Sequence, residues 1–105
     1  MNTDKISILR KNAQAALNQK DYQLAHRNLL QILQIVPKNA DAFFLMSNIP
    51  LEAGNIDKAI ELITRAINLS PEKKEYYVYI AKYFALKGDM AKTAQWAEKV
   101  EGATL

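Results

Sequence analysis

Cysteine is absent from this 105-residue chain, which excludes disulfides and thiolate metal sites and leaves packing alone to hold the fold. Glycine and proline occur three times each while half of the residues are apolar, a balance that argues against disorder and suits a helix-rich globular protein. Long hydrophobic runs are missing too. The apolar run 42–46 is five residues, against the roughly 20 that a membrane-spanning helix needs. The opening MNTDKISILRKN carries Asp4 near its start and no apolar block, so neither a signal peptide nor a membrane anchor is expected and a cytoplasmic location is. Histidine occurs once, at His26, with no paired carboxylate at ligand spacing. There is no glycine-rich phosphate loop, nucleophile elbow or acid pair. No catalysis, no cofactor and no metal are therefore expected.

The net charge of +3 is unevenly spread. Residues 1–39 carry Lys5, Arg10, Lys11, Lys20, Arg27 and Lys38 against Asp4 and Asp21, whereas residues 40–73 carry more acids than bases. A nucleic-acid footprint is normally a denser basic stripe with aromatic platforms between the charges. The distribution here fits a solvated surface better, and nucleic acid is not the expected partner.

What is present is a repeat. The stretch 40–73, ADAFFLMSNIPLEAGNIDKAIELITRAINLSPEK, reads as one helix-turn-helix unit, and a shift of 34 residues places Gly54 on Gly88, Pro71 on Pro37, and Asn55 on both Asp21 and Asp89. A fixed period of this length marks a stacked array in which each unit covers its neighbour's apolar flank. Thr3 or Asp4 is expected to cap a first helix to about Gln19 with Leu9, Ala13, Ala16 and Leu17 on one face. Asp21 then caps a second helix whose apolar stripe is Ala25, Leu29, Ile32, Leu33 and Val36, ended by Pro37. In the central unit the expected buried stripes are Ala42, Phe43, Met46 and Ile49, then Ala59, Ile63, Ala66 and Ile67, with Gly54 as the left-handed turn residue. Pro71 is expected in the first turn of the third unit. There Tyr77, Ile80, Ala81 and Phe84 line the inner face, followed after Gly88-Asp89 by a helix bearing Ala94, Trp96, Ala97 and Val100.

The bulky-then-small pairs on the first helices, the Gly-Asn or Gly-Asp turn and the paired alanines of the second helices resemble the tetratricopeptide repeat. Phe43, Met46, Ser47, Gly54, Ala59, Ile63, Ala66 and Pro71 carry the likeness in the central unit. The outer units depart from it at Lys20 and Ile32, and at Thr93-Ala94. The resemblance implies an all-α fold, a right-handed superhelical array of three helix-turn-helix pairs forming one domain over 1–105. The repeats fall at about 6–39, 40–73 and 74–105, the last truncated and without a capping helix. It also implies that the first helices line a concave groove for a peptide or helix of a partner.

Counting along those helices, the side chains expected to face the groove are Ser7, Arg10, Gln14 and Leu17, then Asp41, Phe44, Asn48 and Leu51, then Glu75, Val78, Tyr79 and Lys82, and those expected to meet a partner are Arg10, Gln14, Phe44, Asn48, Tyr79 and Lys82. Arg10 and Lys82 would meet a carboxylate, Gln14 and Asn48 a peptide backbone, and Phe44 and Tyr79 would offer apolar surface. Some family members clamp a chaperone's terminal carboxylate with basic residues and asparagines. Leu45, Glu75 and Tyr79 stand where that clamp needs other residues, and Glu75 would repel the carboxylate. The implied function is non-enzymatic protein binding. Two other readings are an amino-terminal targeting or assembly domain of a larger chain with an enzymatic part, and an RNA-binding helical repeat using the basic first unit. Pro50 is expected to kink the final turn of its helix. At the carboxyl end an uncovered flank including Tyr83, Trp96 and Val100 is expected to support self-association.

Overall fold

The computed structural model describes residues 2–101, and every element among them is helical: α1 Asn2–Asn18, α2 Tyr22–Ile35, α3 Ala40–Met46, α4 Asn48–Glu52, α5 Ile56–Leu69, α6 Lys74–Lys87 and α7 Met90–Glu101. α1 packs on α2, α3 and α4 pack on α5, and α6 packs on α7, while α2 against α3 and α5 against α6 join each pair to the next. The slab is 19 Å thick, which is two helix layers of about 10 Å each. The first layer holds α1, α3/α4 and α6, and the second holds α2, α5 and α7.

The repeat period is written in the backbone at the inner turns. Lys20, Gly54 and Gly88, 34 residues apart, all take positive φ, at 62°, 77° and 88°. Each is followed by a capping residue: Asp21, Asn55 and Asp89 accept from the amides of Leu24, Lys58 and Lys92. Both requirements are local, a left-handed residue to reverse the chain and an oxygen to satisfy a free donor of the next helix. The amino end differs from expectation, because α1 already runs from Asn2 and Asp4 lies inside its first turn rather than capping it. Pro71 also sits outside a helix. α5 ends at Leu69, Pro71 occupies a turn, and α6 starts only at Lys74.

Alanines hold the layers close. Ala13, Ala25, Ala59 and Ala66 are fully buried, and Leu29, Ile32, Ile63 and Ile80 fill the space between the pairs. Two helices bury a face only partly like the one periodicity suggests. In α3 the buried residues are Ala40, Ala42, Phe44 and Leu45, so Ala42 is placed as expected while Phe43 and Met46, with Ile49 of α4, are only half-buried. In α6 they are Tyr76, Ile80, Tyr83 and Phe84, so Ile80 and Phe84 are as expected while Tyr77 and Ala81 are half-buried. The cause is shared: Phe44 lies between Tyr76 and Tyr79, its ring centre 4.9 Å from each, so the first-layer helices bury their facing aromatics against one another.

Pro50 breaks its helix earlier than the last turn. α3 stops at Met46 and α4 begins at Asn48, since proline has no donor for the Met46 carbonyl and its ring crowds that oxygen. Side chains take over the interrupted ladder. The Ser47 hydroxyl donates to the Phe44 carbonyl at 2.6 Å and the Asn48 amide to the Leu45 carbonyl at 3.2 Å. Ser47 also shares a hydrogen bond of 2.9 Å with the buried Tyr83 hydroxyl, tying the break to α6.

Candidate functional site

Because α1, α3/α4 and α6 form one layer, their outward side chains converge. Arg10, Gln14 and Leu17 of α1, Asn48 and Leu51 of the broken helix, and Glu75 and Tyr79 of α6 line a cavity of about 410 Å³ with Phe44 on its wall. Five of the six residues expected from the sequence are thus brought together. Lys82 is not among the lining residues. It lies one turn beyond Tyr79, with its ammonium 4.8 Å from the centre of that ring, a cation–π contact at the edge of the groove.

Polar capacity in the groove is partly spent on the protein itself. The Gln14 amide donates to Asn18 at 3.1 Å, and the Asn48 amide donates to the carbonyls exposed by the helix break. Each therefore presents its side-chain carbonyl oxygen, an acceptor suited to a peptide N–H. Phe44 is 95% buried, at 5% exposure, so it serves as floor while Tyr79, edge-on above it, supplies the accessible aromatic surface.

The charge of Arg10 is committed. Its Nε donates to Asp41, whose other oxygen accepts from the Tyr76 hydroxyl at 3.0 Å, and Lys73 approaches the same carboxylate at 4.0 Å. Burial first, and then the Asp41 charge, push the Tyr76 hydroxyl far above the ordinary tyrosine range. Arg10 is therefore a guanidinium positioned by Asp41 on the groove wall, not the free cation that a carboxylate receptor needs. Glu52 and Glu75 share the wall with it, so carboxylates outnumber cations around the cavity. Tyr22 lies beside Glu52, and partial burial followed by that carboxylate raises its hydroxyl as well.

Tyr22, Asn18 and Glu52 were not legible as groove residues, since they lie at helix ends where periodicity carries no facing information. Ser7, Asp41 and Val78, expected to face the groove, do not line the cavity, and Asp41 is held instead by Arg10 and Tyr76. The expected carboxyl-end flank needs a correction. Tyr83 is 2% exposed, because it points back to Ser47 of the preceding pair. Trp96 stacks on Tyr77 with ring centres 5.6 Å apart, and Val100 is half-buried. Trp96 and Val100 are thus partly open as expected and only Tyr83 is misplaced, while among the described residues Leu86 and Met90 add more exposed apolar surface at this end. Residues 102–105 lie outside the described residues. Among the described residues, no group of His, Cys, Asp or Glu is placed to hold a metal ion, and no helix is long and apolar enough to cross a membrane.

Residues 16–83, more than half of the chain, match the family profile described as tetratricopeptide repeat. The chain belongs to the tetratricopeptide repeat family. Among solved structures it is similar to MamA 41-end from Desulfovibrio magneticus RS-1, with 24% identity, a TM-score of 0.80, and coverage of 90% of this chain and 53% of that one. A Thermobaculum terrenum O-GlcNAc transferase matches with 24% identity and a TM-score of 0.82 over 95% of this chain and 20% of that one. The TPR2B domain of yeast Sti1, solved as a complex with pHsp70, matches with 14% identity and a TM-score of 0.82 over 91% and 77%. The chain thus spans about half of the MamA structure and a fifth of the transferase. No curated protein sequence matches it. At these identities the likeness speaks for the fold, a right-handed superhelical array of tetratricopeptide helix pairs. In that frame Lys20 occupies the position at which the other two tetratricopeptide turns have glycine.

Proposed function

We propose that this tetratricopeptide array is a non-catalytic protein-binding module of the cytoplasm that holds a peptide segment or short helix of another protein in its first-layer groove. One observation carries the reading: three successive repeats contribute to a single cavity of about 410 Å³, whose wall combines an accessible tyrosine with amide acceptors and charges of both signs. The complex of the yeast Sti1 domain with pHsp70 supports a protein ligand for this architecture. The charge on the wall sharpens the expected ligand. With Glu52 and Glu75 facing the cavity and Arg10 paired to Asp41, a segment carrying a lysine or arginine beside an apolar residue fits better than a free terminal carboxylate.

Selection of random peptides displayed on phage against the native domain, repeated against Tyr79→Ala and Asn48→Ala variants, tests this. Peptides selected on the native domain should be enriched in basic residues and lose about tenfold in affinity on Tyr79→Ala, a loss of about 1.4 kcal/mol. Enrichment unaffected by both substitutions, in variants whose circular dichroism matches the native domain, would remove the groove as the binding site.

A further inference from the structure

The opposite layer carries a second cleft that the groove reading does not use. Between α2 and α5, with the broken helix α3/α4 as its floor, Leu30, Leu33, Phe43, Met46, Ile49 and Leu62 line a cavity of about 440 Å³. It continues toward Pro37 and Leu69 as a further cavity of about 310 Å³ that shares Phe43 and Arg65 with the first. Its lining is side chains that a closed core would bury: Leu30 is 42% and Leu69 is 37% exposed. Pro50 belongs to this lining. The break that it imposes therefore shapes the floor of the cleft.

Every ionisable side chain lining the two cavities is basic: His26, Lys58 and Arg65 in one, Lys38 and Arg65 in the other. The nearby acid is Glu61, which pairs along α5 with Lys58 and Arg65 at 3.5 Å and does not line either cavity. The Arg65 guanidinium lies over the Phe43 ring at 5.7 Å, so it stands at the lip of the cleft with its stem on the apolar floor. From His26 to Leu33, α2 flanks the cleft for about 10 Å at the helical rise, the length of about two helical turns. A cleft between two helices, apolar below and basic at the rim, is the complement of an amphipathic helix with carboxylates beside its apolar stripe.

We propose that this second-layer cleft docks an acidic amphipathic helix of a partner protein, independently of the first-layer groove. A second copy of the chain is a poor occupant. Its carboxyl-end helix α7 balances Lys92 and Lys99 against Glu98 and Glu101, so it has no excess of acid to match the basic rim.

The test is a methyl and amide NMR titration of the full chain with three probes. These are a synthetic 14-residue peptide with leucines at i, i+4, i+7 and i+11 flanked by glutamates, the same peptide with lysine for every glutamate, and a single-stranded RNA oligonucleotide. The acidic peptide should shift Leu30, Leu33, Met46 and Leu62, leave Gln14 and Asn48 unmoved, and weaken severalfold between 50 and 300 mM salt. Leu30→Glu, at an already exposed position, should reduce its affinity at least tenfold while Tyr79→Ala leaves it unchanged. Equal shifts with the lysine peptide, stronger shifts with RNA, shifts confined to the first-layer groove, or concentration-dependent dimerisation through the same methyls would each overturn the proposal. Loss of binding in Leu30→Glu counts only with native circular dichroism, and Lys58→Glu, which alters the rim alone, provides the second variant.

Discussion

Lys20 holds a conformation that its two counterparts assign to glycine. A left-handed backbone costs a residue with a Cβ about 1–2 kcal/mol, and the chain offsets that cost elsewhere rather than avoiding it. The substitution Lys20→Gly should raise stability by up to about 1 kcal/mol, with part of the gain lost to the freer unfolded chain. Gly54→Ala should lower it by a similar amount for a backbone reason only, since a Cβ there would meet nothing within 4 Å. Urea midpoints at constant slope check both. The Asp41 network offers a second test at this scale. Tyr76 has a raised proton affinity in the folded state, so its contribution is fully present below about pH 10, its ordinary value, and is lost as pH rises toward the folded value. Tyr76→Phe should cost about 1 kcal/mol at neutral pH through the lost hydrogen bond and flatten the decline in stability at alkaline pH. An unchanged alkaline slope would show that Tyr76 does not carry it.

The broken helix is tied to α6 through one buried hydroxyl pair. Ser47 is fully buried and divides its hydroxyl between the Phe44 carbonyl and Tyr83. Ser47→Ala leaves the Tyr83 hydroxyl buried and unpaired, at a cost of about 1–3 kcal/mol. Pro50→Ala should recover less than the roughly 3 kcal/mol that a proline costs inside a helix, because Ser47 and Asn48 already satisfy the neighbouring carbonyls. Thermal melts of both variants check the order. A Pro50→Ala gain of 3 kcal/mol or more would mean that the surroundings have not adapted. The turns of these elements were legible in the sequence, because each depends on one or two residues at 34-residue spacing. The buried faces of α3 and α6 were legible only in part, at Ala42, Ile80 and Phe84. Runs such as FFLM at 43–46 and YYVYI at 76–80 are apolar on every side, so periodicity does not choose between faces, and the choice falls to aromatic contacts between helices far apart in sequence. For the same reason Tyr83 was misplaced on an open flank. The Arg10–Asp41 pair, which spans 31 residues, likewise had no local signal.

Across the whole molecule each pair covers its neighbour, so a single core defect should be felt everywhere. Ile63→Ala, at a fully buried position of the middle pair, should cost about 2–5 kcal/mol and lower the melting of all three pairs together. Amide exchange showing α1 and α2 untouched would contradict that coupling. The two proposed binding surfaces lie on opposite layers of the same slab, one with mixed charge and one with a basic rim, and their ligands should differ in sign. The central claim is that the first-layer groove binds a protein segment. Its most direct measurement is an amide and methyl NMR map of the native domain with a peptide selected on it. The account predicts shifts at Gln14, Asn48, Leu51 and Tyr79 that vanish in Tyr79→Ala. Shifts that avoid these residues, or that persist in that variant, would contradict it.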